Sequence, residues 1–373
     1  MTTAPDASFA RRLLEESGLA SSHEPVDVGL VHTLVAKHYH LGGNLERLAT
    51  EKDDTFRLRT GSGDYLVKVS PPDEPESVVA LQTAVMRFLE DAAGELPVQR
   101  VKLTMAGDDN VVLAARDGRT RVLRVLGFVD GEVLAQTNAE PGQLARAGEM
   151  LGRVDLALAA FTHPADRRGL VWDIRHFHRL TGLAEHTPDP GHRRLAGEVF
   201  TLFEAAVVPA LDHLETQVIH GDFSPHNIVV DPRHDGFVTG VIDFGDTMRS
   251  AVIFDPAVTL ANLLGRTPGS PWREACAFAA GYAAVRPIKD GELPLLPVAA
   301  LARLTLRALL ADWRAQRVPE RRDYLLGHAK DDWLNVERAL AVPLDDVVGQ
   351  LATRTPSDPH GPGVRPGHER KTP

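Results

Sequence analysis

An aspartate, an asparagine five positions later and a second aspartate opening an Asp-Phe-Gly stand at Asp222, Asn227 and Asp243. They lie in the runs His220-Gly221-Asp222-Phe223-Ser224-Pro225-His226-Asn227 and Ile242-Asp243-Phe244-Gly245-Asp246. One carboxylate can orient an attacking hydroxyl and take its proton, while an amide oxygen and a second carboxylate are hard ligands suited to magnesium. Transfer of a phosphoryl group from a nucleotide demands those three groups, and kinases carry them in this order. Asp222 is therefore expected as the catalytic base, with Asn227 and Asp243 on magnesium. Taken singly, His-Gly-Asp is a common turn and Asp-Phe-Gly is weaker still; their joint spacing carries the reading.

The elements around these residues must bring them together. Asn227 to Asp231 and Phe237 to Ile242 read as two strands of a hairpin joined by Pro232-Arg233-His234-Asp235-Gly236, which returns Asn227 and Asp243 to one end of the ribbon. Asp222, on the loop before the first strand, then faces the other side of the transferred group. Lys68 sits in the apolar run Leu66-Val67-Lys68-Val69, where a cation is costly without an anion. A nucleotide phosphate is such an anion; an edge-strand lysine that blocks aggregation is the plainer reading. Kinases usually anchor this lysine with a helix glutamate, yet Gln82 stands at the best-matched position. Glu76, Glu74 or a lysine-amide hydrogen bond are the substitutes the sequence offers.

Neither G-x-G-x-x-G nor a Walker-type loop occurs, which removes support for a P-loop or dinucleotide fold. A phosphate-covering turn falls to residues 49–55, including Thr50 and Asp53, whose N–H groups either cradle phosphate or belong to a plain solvated loop. The strand end at Val125 to Phe128, with Leu126 and Phe128, either meets an adenine edge or is an ordinary interlobe linker. Gly221 replaces the arginine that reads a phosphorylated activation loop in protein kinases, Asp255 follows closely on Asp246, and no Ala-Pro-Glu appears later. The acceptor is thus expected to be a small molecule. Asp246, Asp173 beside Trp172, and Asp255 are candidate contacts for its amino group, although Asp173 and Asp255 could equally cap helices. His226 positions phosphate or packs. The pairs His38/His40 and His176/His178 lack further ligands at metal spacing and read as surface or helix-face histidines.

The wider chain is consistent with an enzyme of this kind. Its 373 residues allow two lobes, with 43% hydrophobic and 25% charged residues. No apolar run approaches the ~20 residues of a membrane span, no secretory signal is visible, and Cys276 is the only cysteine. These features point to the cytoplasm, away from membranes. A net charge of -10 opposes nucleic-acid binding and is mildly favourable for a cationic substrate. Residues 7–18 read as a surface helix, Thr55 to Val69 as a hairpin turning at 61–64, and Glu76 to Ala92 as a helix. Strands follow at Val98 to Met105, Val111 to Ala115 and Arg121 to Val129, past an Asp117-Gly118 turn, with a lobe boundary at Asp130-Gly131. Beyond it Gly142 to Ala160, His192 to Leu214, Trp272 to Val285 and Leu295 to Arg317 have helical periodicity, and only the 227–242 hairpin reads as strand. The expected organisation is a helical extension (1–30), a nucleotide-binding N-lobe (31–130), a catalytic C-lobe (131–352) and a disordered tail (353–373).

Over roughly Val31 to Ala341 the chain resembles the aminoglycoside phosphotransferase-like family, most closely its hydroxylysine kinase-like branch. The resemblance rests on the 50–56 segment, Tyr65-Leu66-Val67-Lys68-Val69-Ser70, Leu96-Pro97-Val98, Val171-Trp172-Asp173, His220-Gly221-Asp222, Gly240 to Asp246, and Asp323-Tyr324-Leu325-Leu326. It implies an α+β, protein-kinase-like fold with two lobes: an antiparallel sheet, a mainly helical lobe, and a nucleotide between them. It also implies Asp222 as base, Asn227 and Asp243 on Mg2+, and Lys68 on the nucleotide phosphates. The implied activity is ATP- or GTP-dependent phosphorylation of a hydroxyl on a small amino alcohol or hydroxy-amino acid, of hydroxylysine, homoserine or choline type. Aminoglycoside phosphorylation is the alternative within the class, and a nucleotide-binding pseudokinase the alternative outside it. Gln82, Thr55 and Asp54 depart from the family pattern; oligomeric state is not legible.

Overall fold

The structure is a computed structural model that describes residues 7–19, 23–50, 52–72, 74–114, 118–319 and 322–354. Strands β1 (Asn44–Leu48), β2 (Asp54–Thr60), β3 (Gly63–Val69), β4 (Val101–Lys102), β5 (Val111–Ala114) and β6 (Thr120–Gly127) make one antiparallel sheet in the order β1-β2-β3-β6-β4, with β5 also on β6. Alternation explains the hairpin: Phe56, Leu58, Val67 and Val69 are buried on one face of the sheet, Thr55 and Lys68 on the other face line a cavity, and Phe56 pairs with Val67 across the turn. Helices α1 (Ala7–Glu16) and α2 (Val28–Tyr39) precede the sheet, and α2 buries Val31, Val35 and Tyr39 against it. Helix α3 (Glu76–Ala92) follows β3 as its spacing predicts, burying Val78, Leu81, Val85 and Leu89.

Beyond the sheet the chain is mainly helical: α4 (Pro141–Leu158), α5 (Pro190–Ala206), α6 (Phe254–Leu263), α7 (Arg273–Val285), α8 (Leu295–Arg317), α9 (Arg322–His328), α10 (Asp332–Leu340) and α11 (Leu344–Arg354). Helix α4 starts with Pro141 in its first turn and a reciprocal Glu140/Gln143 capping box. Helix α8 is apolar over most of its circumference and forms the centre of this half. The hairpin of β9 (Ile228–Val230) and β10 (Val238–Val241) is present, with β7 (Glu132–Val133) added to its edge.

Several expectations need correction. A second short pair, β8 (Thr216–Ile219) with β11 (Met248–Ala251), flanks the catalytic loop. Both strands are almost wholly buried, so the alternation that marks a half-exposed strand is missing from them. The run 98–105 yields only β4 as strand, with Val98 making an isolated bridge to Val241. Helix α5 stops at Ala206 and a 3-10 turn, Val208–His213, takes over where Pro209 removes an N–H donor. In the expected tail, 353–354 are the end of α11; the remainder lies outside the described residues, as does Asp117 of the expected turn.

Candidate active site

Two ribbons converge on one cleft. Register places Ile228 opposite Val241, and the Ile242 N–H donates to the Asn227 carbonyl at 3.0 Å, so Asn227 and Asp243 leave the β9–β10 ribbon at the same end. On the second ribbon Ile219 faces Met248, which sets His220–Asp222 beside Asp246. Gly221 makes that approach possible: its φ is +77°, and a Cβ there would stand 2.4 Å from the Asp246 carbonyl oxygen. The loop is fastened from below by Asp255 of α6, whose carboxylate accepts the His220 N–H at 2.8 Å and the Gly221 N–H at 3.0 Å.

Asp222, Asn227, Asp243, Asp246 and Lys68 all line a cavity of about 690 Å³, together with Thr50, Asp53, Gln82, Trp172 and His226. The Asn227 amide nitrogen donates to Asp222 Oδ2 at 2.8 Å and to the Asp222 carbonyl at 2.9 Å. That fixes the amide orientation and leaves Oδ1 as its acceptor atom. Asp243 has left-handed backbone geometry, and its Oδ1 accepts the Gly245 N–H at 3.2 Å. The Lys68 ammonium lies beside it, which holds the Asp243 carboxyl below its usual range. Burial raises Asp222, against the opposing pull of Arg303, whose Nη2 is 3.5 Å from Asp222 Oδ1, and of His220. Asp246 is pushed up to about 6 by burial and by Asp222.

The partner of Lys68 is a loop carboxylate. Asp53 Oδ2 lies 3.1 Å from Lys68 Nζ and 3.2 Å from Arg124 Nη2. Lys68 and Arg124 are directly opposed on β3 and β6, a like-charge pairing that needs an acid between the two. Burial would lower the Lys68 ammonium, but Asp243 and Asp53 outweigh it and raise it. Gln82 accepts from Arg124 and donates to the Gly245 carbonyl at 3.1 Å, so helix α3 holds the Asp-Phe-Gly turn, and among the described residues Gln82 makes no hydrogen bond to the lysine. Glu74 pairs with Lys52 and, at 3.7 Å, with Arg168. Sequence reading passed over Arg124, although a second cation inside the apolar run Val122-Leu123-Arg124-Val125 was the available signal.

Other expected residues sit elsewhere. Asp173 is 1% exposed, outside the cavity lining, and accepts Ser250 Oγ at 2.7 Å and Arg175 Nη2 at 2.7 Å while capping a 3-10 turn. Asp255, wholly buried, likewise faces backbone rather than cavity. Leu126 is buried in β6 between Leu66 and Val101, and Phe128 stacks under Arg57 at 4.0 Å; neither lines the cavity. Arg303, missed in the sequence, stacks on Trp172 at 4.4 Å from inside α8.

The sequence profile described as "Phosphotransferase enzyme family" matches residues 45–289. Mouse hydroxylysine kinase is 24% identical over 318 residues, covering 79% of this chain and 84% of the relative. Homoserine kinase of Azorhizobium caulinodans is 31% identical over 223 residues, 56% of this chain and 64% of the relative. Among solved structures, a microcompartment-associated aminopropanol kinase superposes with TM-score 0.67 at 17% identity, covering 84% of this chain and 98% of that one. Among the described residues no helix is long and apolar enough to cross a membrane.

Proposed function

Because the chain belongs to the phosphotransferase enzyme family and is a small-molecule kinase, we propose that it transfers the terminal phosphoryl group of ATP or GTP to a hydroxyl of a small hydroxy-amino acid or amino alcohol. Hydroxylysine-like acceptors are favoured, in line with the relatives named hydroxylysine kinase, with homoserine next. The observation that carries this reading is the shared cavity of Asp222, Asn227, Asp243 and Lys68.

In this reading Asp222 accepts the proton of the attacking hydroxyl. Its raised affinity for protons, caused by burial, suits a base that must hold one during transfer. Lys68, braced by Asp53, meets the phosphates as a point charge. Asn227 Oδ1 and Asp243 fit a magnesium ion, because the Asn227 nitrogen already faces Asp222 and both remaining donors are hard oxygens. Among the described residues no group of three or more His, Cys, Asp or Glu could hold a metal, which suits an ion completed by substrate phosphates rather than an all-protein cage. Such an ion would neutralise charge on the transferring group.

The deciding experiment incubates the protein with magnesium, nucleotide and a panel of hydroxylated amines and amino acids. Mass spectrometry should find one acceptor class gaining a single HPO3 unit. Nucleotide-induced thermal stabilisation with no acceptor turnover across the panel would instead support a binding module.

A further inference from the structure

The cavity wall facing away from the nucleotide-side residues is basic. Arg303, Arg307 and Arg314 of α8 line it with Leu310 and Ala311, and Arg266 lines it from beyond the end of α6. Positions 303, 307, 310, 311 and 314 recur at the three- and four-residue intervals that fall on one helix face. No carboxylate from this segment of the chain, residues 262–329, lines the cavity among the described residues. This is against the trend of a chain with net charge -10. It also differs from the sequence expectation of an acidic pocket for an amine, since Asp173 and Asp255 are buried elsewhere.

Asn262 ties two of these cations together. Its side-chain oxygen accepts from Arg307 Nη1, and its backbone carbonyl accepts from Arg266 Nε at 3.1 Å. Asp332 engages Arg307 through Nε at 2.8 Å and Nη2 at 2.6 Å, which leaves a second N–H on each terminal nitrogen. Arg266 is exposed; among the described residues no carboxylate stands within ion-pair distance of it, and Glu274 acts on its charge from farther off. Arg303 is 7% exposed, and its Nη1 has no hydrogen-bond partner among the described residues. Adjacent guanidinium groups with donors to spare form a fork for a planar anion. Along α8 the step from Arg303, at the catalytic base, to Arg307 is about 6 Å. That step is comparable with the hydroxyl-to-carboxylate reach of a short hydroxy-amino acid.

Resting on the proposed phosphotransfer to a small hydroxylated acceptor, we infer that Arg307 and Arg266 form the subsite for the acceptor's carboxylate. The enzyme therefore selects hydroxy-amino acids over the amino alcohols that lack this group. Asp222 takes the hydroxyl end, and Asp246 is left for an ammonium.

The test compares matched pairs by calorimetric binding to the full chain: homoserine against 3-aminopropan-1-ol, and 5-hydroxylysine against 1,5-diaminopentan-2-ol. Each acid should bind about tenfold or more tightly than its decarboxylated counterpart, the range of a good charge-assisted contact. Arg266→Gln should narrow that ratio, and Arg266→Gln with Arg307→Gln should bring it to about one, with binding of an ATP analogue retained as the check on folding. Arg266 is exposed, so the single variant carries the test if loss of Arg307 strands Asp332 and unfolds the protein. Equal binding within a pair, no binding of either acid, or an unchanged ratio in the variants would overturn the subsite. Turnover is scored separately: discrimination in binding without phosphorylation of either acid would leave the subsite standing and remove the proposed reaction.

Discussion

The Lys68 ammonium lies 3.1 Å from the Asp53 carboxylate, and the same oxygen also meets Arg124. A residue of the 50–55 turn thus does the work that a helix glutamate does in the usual kinase arrangement. Asp53→Asn should leave two opposed cations with one carboxylate fewer, so Lys68 loses its brace toward the phosphates. The expected result is a nucleotide KM raised about tenfold, equivalent to about 1.4 kcal/mol. Unchanged steady-state kinetics in ATP would refute the assignment.

Asp222→Asn should lower kcat by about 10²–10⁴, the usual worth of a general base, while calorimetry still finds nucleotide binding. Asp243→Ala should lose activity at every magnesium concentration, because a ligand oxygen and the second anionic neighbour of Lys68 disappear together. Near-native turnover in either variant contradicts its role.

Local order along the chain explains what sequence alone disclosed. Asp222, Asn227 and Asp243 were legible because the intervals between them are set by one short loop and one hairpin. Lys68 and Asp53 were each singled out, but their contact with one another and with Arg124 was not, because that meeting depends on the register that puts Lys68 opposite Arg124. Asp173 and Asp255 were misplaced toward substrate for a related reason: a carboxylate near a motif looks the same in sequence whether it faces a ligand or backbone N–H groups. Strands β8 and β11 escaped notice because full burial removes alternation.

Gly221→Ala tests the contact between the catalytic loop and Asp246. A left-handed φ costs a non-glycine residue about 1–2 kcal/mol, and the clash with the Asp246 carbonyl adds to it. Lower thermal stability and lower kcat are expected together. Gly197→Ala is the contrast, since that exposed position in α5 has open space around it and should gain roughly 0.5–1 kcal/mol. Equal effects of the two substitutions in thermal melts would rule out the steric account.

Asp246 gives stability a pH dependence of defined sign. Its carboxyl is pushed up to about 6 in the folded protein, above the ordinary value of 3.8. The folded state then binds the extra proton, and the associated stability is fully present below the ordinary value and lost as pH rises through about 6. Asp246→Asn keeps the shape and removes the ionisation. Its melting temperature should exceed the native one at neutral pH, by at most about 3 kcal/mol of stability, and converge with it near pH 4. A difference that is constant across that range would show that ionisation of Asp246 is not its source.

Beneath the catalytic loop, Asp155 of α4 and Asp255 are both wholly buried and interact through their side chains. Two carboxyls in such contact cannot both be charged. Asp255 already accepts the His220 and Gly221 N–H groups, which favours its ionised form. Burial and the neighbouring Asp255 drive Asp155 well above the usual carboxyl range, so Asp155 holds the proton while Tyr282 Oη donates to its other side at 2.8 Å. An asparagine at 155 reproduces that neutral donor and acceptor, and Asp155→Asn should change stability little. Asp255→Asn instead presents an NH2 group to two backbone N–H donors, leaving one of them unsatisfied at about 1–3 kcal/mol and loosening the loop that carries Asp222. Urea denaturation should therefore rank Asp255→Asn well below Asp155→Asn, with kcat falling only in the former. The reverse ranking would place the proton on Asp255 and invalidate this account of how the loop is held.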